Sequence, residues 1–209
     1  MDYSWLRRPA GEVPEAARTL LGWEVSAGGV RIRLTEVEAY AGTGEDPASH
    51  AHRGPTPRTK VMFGPAGHAY TYFVFGVHWC LNVVCGDDGE AAAVLLRAGE
   101  VIDGLDVARE RRGAVADRDL ARGPARLVVA LGITSSANGT SMIDGSGPLL
   151  LTPPTRPVDP ALIVAGPRVG VAAAHDVPWR FWISADPTVS PYRRHVPRRR
   201  VARQSGGVA

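Results

Sequence analysis

The 209-residue chain is poor in lysine, in cysteine and in long apolar runs. Lys60 is its single lysine, and arginine carries the rest of the positive charge. Chemistry that runs through a lysine amine therefore has almost no candidates. The formal net charge of +3 allows a polyanionic partner without demanding one. Cys80 and Cys85 lie five positions apart in one apparent strand, hence on opposite faces, which makes a poor disulfide and no zinc spacing. His50, His52 and His68 fit no metal-ligand pattern either, so neither metal nor cofactor is expected. No segment is long enough to span a bilayer and the N-terminus has no apolar signal core. The expectation is a cytoplasmic protein without a membrane partner. The nucleophile-elbow, P-loop and dinucleotide-binding motifs are absent.

What is present reads as one domain over residues 1–192, followed by a flexible basic tail over 193–209. "VPEAARTLLGW" predicts a short helix stopped near Gly22. "VRIRLTEVEAY" and "AAAVLLRAG" predict strands, and "GLDVARERRG" and "RGPARLVVALGI" predict helices, the second with Pro124 in its first turn and Gly132 near its end. "GPLLLTPP", "RVGVAAA" and "WRFWISAD" read as later strands. The long loop "AGTGEDPASHAHRGPTPRTK" is of a length that is often functional. The fold class is α+β: a mostly antiparallel, curved β-sheet with surrounding helices and a protruding β-hairpin.

That hairpin is "YTYFVFGVHW", residues 70–79. Alternation puts Tyr70, Tyr72 and Val74 on one face, with Thr71, Phe73 and Phe75 on the other. Gly76 supplies the positive φ of a tight turn. Phe75 next to the tip is either a core residue under a covering loop or a ring held out to enter something flat.

The strand at 30–40 carries the most chemistry. Val30, Ile32 and Leu34 share an apolar face opposite Arg31 and Arg33. A period of two continues that face to Glu36, Glu38 and Tyr40. A buried carboxylate is costly unless it is paired, which suggests either that the strand leaves the core here or that a general base stands in a cleft. Asn82 and Arg97, polar residues in or ending apolar strands, could complete a site or could satisfy backbone groups.

These residues carry a resemblance. "TEVEAYAG", "EDPASHAHRG", the aromatic hairpin, "AVLLRA", "RDLARGPARLVVALGI" and "RVGVAAAHDVPWRFWI" resemble, in order and spacing from about Leu20 to about Val189, the alkyladenine (3-methyladenine) DNA glycosylase family. The resemblance implies a monofunctional, monomeric base-excision-repair enzyme without a lyase step. Its partner would be double-stranded DNA containing damaged purines: 3-methyladenine, 7-methylguanine, hypoxanthine or ethenoadenine. It implies Glu38 as the base that activates a water, with Arg97 beside that water and the target phosphate. Tyr40, Tyr72 and His50 would sandwich the flipped base, and Asn82 would exclude guanine. Met62 and Leu95 would support the site. Phe75, with Gly76 at the tip, would fill the gap left in the duplex, where better-known members carry tyrosine. Arg58, Lys60, Arg126 and the helix start at Gly123–Pro124 would meet phosphates. His78 and Trp79 depart from those members. Two other readings stay open here: a sugar glycosidase using Glu36 and Glu38, and a non-catalytic nucleic-acid-binding module.

Overall fold

The computed structural model describes residues 1–74 and 76–196. The Phe75 side chain and the tail beyond Val196 lie outside the described residues. Among the described residues the fold is built on eight antiparallel strands and three eight-residue α-helices, joined by loops and short helical turns. The strands are β1 (Glu24–Ala27), β2 (Val30–Tyr40), β3 (Ala69–Val74), β4 (His78–Cys85), β5 (Ala92–Asp103), β6 (Leu150–Thr152), β7 (Ile163–Gly166) and β8 (Arg180–Ile183). The helices are α1 (Val13–Leu20), α2 (Leu105–Arg112) and α3 (Pro124–Leu131). Along the main sheet the order is β3-β4-β5-β2-β1-β6, and β8 joins β2 and carries β7. No helix among the described residues is long and apolar enough to cross a membrane.

Local sequence explains most of these boundaries. α1 turns Val13, Ala16, Ala17 and Leu20 inward at helical spacing. α3 begins with Pro124, whose missing N–H costs nothing in the first turn, and ends at Gly132, whose left-handed backbone returns its N–H to the Val128 and Val129 carbonyls. β1 and β2 form a hairpin around Gly28 and Gly29, both at positive φ, as a two-residue primed turn requires. The stretch "RVGVAAA" is not a strand. It runs irregularly, with Ala174 at φ 48°, because it lines a cavity instead of joining a ladder. The strand in this region is β7, just upstream, and neither it nor β1 stands out from the pattern of the sequence.

β2 organises the sheet, and it departs from simple alternation. Ile32 and Leu34 face the main core, as expected, but so do Val37 and Ala39. The pairing with β5 is irregular between Leu34 and Val37, opposite the stretch around Arg97 and Ala98. β5 changes sides in step: Val94 and Leu96 face the core, and so does Val101 beyond the irregularity. The expected continuation of the Val30 face to Glu36, Glu38 and Tyr40 is therefore overturned. The core face passes to Val37 and Ala39, and Glu38 and Tyr40 project from the other side, into a cavity. Here β2 also changes its outer neighbour, from β1 at residues 30–33 to β8 at residues 36–38.

Gly99 sits at this switch. A Cβ there would collide with the Arg33 carbonyl and the Ile32 methyl. Gly99→Ala is expected to cost about 1–3 kcal/mol, the range for overpacking, and to lower the denaturant midpoint without changing the slope of the transition, measured by urea unfolding followed by circular dichroism.

Candidate active site

A cavity of about 510 Å³ opens on the side of the sheet away from the main core. That size suits a small organic ligand. Its walls come from β2, β3, β4 and β5, the loop after β2, the start of α3 and the irregular segment after Arg168. Tyr70, Tyr72 and Val74 share the cavity face of the hairpin, as alternation predicts. On the other face Phe73 stacks on Trp79 at 4.9 Å between ring centroids and stays largely exposed. The two cysteines are free and buried, Cys80 against the cavity and Cys85 in the core.

Glu38 is the carboxylate of this cavity. Its side chain is fully buried, yet each oxygen is addressed. Oε1 accepts the Val169 backbone N–H at 2.7 Å, and Oε2 accepts the Tyr40 hydroxyl at 2.9 Å. Arg97 Nη1 lies 3.6 Å from Oε2. A carboxylate offers about four lone-pair sites, so these partners orient the group and leave capacity for a water. Burial, with the nearby Glu38 charge adding to it, raises the Tyr40 phenol well above its usual range, which keeps it a neutral donor.

Glu36, two residues earlier, has a different environment. Arg97 Nε at 2.8 Å and Arg180 Nε at 2.6 Å both donate to its Oε1. Ser190 adds its hydroxyl to Oε1 at 3.0 Å and its backbone N–H to Oε2 at 2.7 Å. Glu36 does not line the cavity, and both of its oxygens are engaged, Oε1 by three donors and Oε2 by one. Its role is to hold Arg97. Burial pushes the Arg97 pKa down, but the Glu38 and Glu36 carboxylates outweigh it, so the net shift is upward and the guanidinium stays charged.

Three rings form one wall. His50 meets Tyr72 edge-on at 4.6 Å, and its Nδ1 lies 3.1 Å from the Tyr70 hydroxyl. Partial burial of the ring, with the Arg58 charge beside it, lowers the His50 pKa to about 4, so the imidazole is neutral at pH 7 even though the residue as a whole is exposed. Burial likewise holds the Tyr72 phenol well above its usual range. Asn82, buried, donates from Nδ2 to the Tyr70 carbonyl at 2.9 Å, which fixes its orientation at the cavity wall.

The chain matches the methylpurine-DNA glycosylase family over residues 7–187. The chain belongs to this family. A protein of Nocardia farcinica, provisionally named a 3-methyladenine DNA glycosylase, is 54% identical over 87% of both chains. Proteins of Streptomyces avermitilis and Cutibacterium acnes with the same provisional name are 51% identical, over 92% of both chains, and 53% identical, over 84% of this chain and 93% of the relative.

Eight residues singled out in the sequence meet at this cavity: Glu38, Tyr40, His50, Met62, Tyr72, Asn82, Leu95 and Arg97. Pro124, at the helix start expected to meet phosphate, and His78 line it too, and the remaining candidates stand elsewhere. Arg58 packs beside the wall, its guanidinium 5.5 Å above the Tyr72 ring and 3.4 Å from His50 Nε2. Lys60 is exposed at the start of a short helical turn. Arg126 is exposed on α3, and its guanidinium lies 3.8 Å from Asp119. Gly76, at φ 72°, makes the hairpin turn. Phe75 lies outside the described residues. Sequence reasoning missed the Val169 N–H, the bracing role of Glu36 with Arg180 and Ser190, and a buried ion pair between Asp46 and Arg168. Both members of that pair stand inside family-like motifs, but no local pattern ties positions 122 residues apart.

The His50 environment yields a direct measurement. Its folded pKa is depressed, so the ring takes up a proton more readily in the unfolded chain. This destabilises the fold as pH falls from about 6.5 towards 4. The His50 ring resonance should stay in its neutral position from pH 8 to pH 5.5 when followed by NMR, and His50→Gln should reduce the drop in melting temperature between pH 7 and pH 5.

Proposed function

We propose that the protein is a monofunctional glycosylase that flips alkylated or deaminated purines out of duplex DNA and hydrolyses the N-glycosidic bond with water. The observation that carries this reading is Glu38: a buried carboxylate on the wall of a base-sized cavity, oriented by two donors and flanked by a fixed arginine. Family membership supports it.

In this mechanism Glu38 takes a proton from a water that attacks C1′ as the sugar becomes oxocarbenium-like. The leaving base departs on the opposite face, the inverting logic of glycoside hydrolysis. General-base assistance of this kind contributes about 10²- to 10⁴-fold. Arg97 holds the attacking water and the target phosphate. Tyr40 stacks on one face of the flipped base, and Tyr72 with His50 contacts the other. A neutral His50 suits this role, because a cation there would repel an alkylated purine. Bases such as 3-methyladenine and 7-methylguanine already carry positive charge, so they leave without acid help and gain from the electron-rich ring faces. Met62 and Leu95 line the site beneath. Asn82, held by Tyr70, crowds the 2-amino group of guanine.

Phe75 fills the gap in the duplex, with Gly76 turning the tip in the minor groove. Arg58, Lys60, Arg126 and the start of α3 contact phosphates. Residues 1–192 form the catalytic domain, which acts as a monomer, and the basic tail adds sequence-independent attraction to DNA. Glu36 is bound to two guanidinium groups and Ser190 and does not line the cavity, which disfavours a sugar glycosidase built on Glu36 and Glu38.

A panel of single-lesion duplexes, assayed for released base under single-turnover conditions, tests this reading. Glu38→Gln is expected to lower excision by at least about 10²-fold, the low end of general-base help, while binding to the lesion duplex stays within about threefold. An excision rate within threefold of the parent removes Glu38 from the role.

A second variant addresses selectivity. Asn82→Ala is expected to raise release of unmodified guanine relative to 3-methyladenine, read as a ratio by chromatography of the freed bases. An unchanged ratio assigns that exclusion to another residue.

A further inference from the structure

Behind the Tyr40 ring lies a charged pair that the proposed mechanism does not use. The Arg168 guanidinium is buried between two rings, 4.7 Å from the Tyr40 centroid and 5.3 Å from that of Trp179. Its side chain is fully inaccessible, and Asp46 is 1% exposed. The pair is bidentate: Nη1 donates to Asp46 Oδ2 at 2.6 Å and Nη2 to Oδ1 at 2.8 Å. Nη1 also donates to the Ala39 carbonyl at 2.9 Å, one residue before Tyr40. Asp46 in turn accepts the Ala48 N–H at 3.0 Å, in the loop that delivers His50. Tyr40 lines the cavity and Arg168 does not, so the ring has a cation on its buried face and the ligand space on the other.

This arrangement sets a problem for a site that stacks cationic bases. A ring already polarised by a cation on one face attracts a second cation less on the other. A base stacked about 3.5–4 Å beyond the ring would put its charge about 8 Å from the guanidinium. At an effective dielectric near 20, a bare charge at that distance shifts the binding of a unit charge by roughly tenfold or more. We infer that Asp46 sets the preference of the site for cationic over neutral bases, by cancelling the charge of Arg168 behind Tyr40. Asp46 is thus a specificity-determining residue that acts through Tyr40 and touches no substrate. The inference rests on the proposed reading of the cavity as a purine site.

The test compares binding of two hydrolysis-resistant ligands to the full chain. Both are duplexes with a 2′-fluorinated lesion nucleotide, in which the fluorine disfavours the oxocarbenium-like state. One carries cationic 7-methylguanine and the other neutral ethenoadenine. The readout is the ratio of the two Kd values for each protein, in which a partial loss of folded protein cancels. Asp46→Asn, which leaves Arg168 unneutralised, should shift the ratio about tenfold towards the neutral lesion. Arg168→Gln, which leaves the carboxylate, should shift it towards the cationic one. The double variant Asp46→Asn/Arg168→Gln, neutral at both positions, should return to within about threefold of the parent. Single variants that move the ratio by less than twofold, or in the same direction, overturn the inference. If one single variant does not fold, the other decides against the double variant. Failure of the parent to prefer either lesion duplex over undamaged DNA instead overturns the proposed function, a result distinct from an unmoved ratio.

Discussion

The change of face shared by β2 and β5 is the constraint on which the site depends. Strict alternation would have driven Glu36, Glu38 and Tyr40 into the apolar core beside Ile32 and Leu34. The irregular pairing between Leu34 and Val37 instead gives the core Val37 and Ala39 and turns Glu38 towards the cavity. Because β5 switches in the same place, Ala93, Leu95 and Arg97 arrive on the cavity side together. Irregular pairings of this kind recur beside active sites, where they re-aim a side chain. Gly99, with no room for a Cβ, belongs to the same device.

Electrostatics then separates two carboxylates that the sequence makes look equivalent. Glu36 collects two guanidinium groups and both donors of Ser190, so its charge is fully engaged inside the protein. Breaking such a buried pair on one side typically costs about 3–5 kcal/mol, which makes Glu36 a rigid anchor for Arg97. Glu38 has fewer partners and lines the cavity. The same two-residue step along β2 thus yields one carboxylate engaged by guanidinium groups and one that faces the cavity. The difference lies in what β8 and the segment near Ser190 bring to Glu36.

The aromatic hairpin divides its labour by face. Tyr70 and Tyr72 join His50 in the cavity wall, and on the reverse side the exposed Phe73 packs on a half-buried Trp79. The loop after β2 brings His50 to this wall and is itself tied down by Asp46 through Arg168. Long loops usually move more than the elements they join. Here a fully buried bidentate pair fixes the loop that supplies one side of the cavity, while the Arg168 segment also supplies the Val169 N–H to Glu38.

By itself the sequence determined the class of the fold, the three helices and the hairpin, because helix caps, Gly turns and alternating aromatics act over a few positions; the eight cavity residues were legible through the family resemblance. Val13, Pro124 and Gly132 are signals of that local kind. Only the tertiary structure decided which face of β2 meets the core, since the irregularity arises from pairing with β5 and leaves no mark in β2 alone. It also decided that "RVGVAAA" lines a cavity although its composition suits a strand, and that Glu36 is spent on Arg97, Arg180 and Ser190. The Asp46–Arg168 pair joins residues 122 apart in the chain. A buried charge finds its partner through space, and no spacing rule along the sequence records where that partner stands.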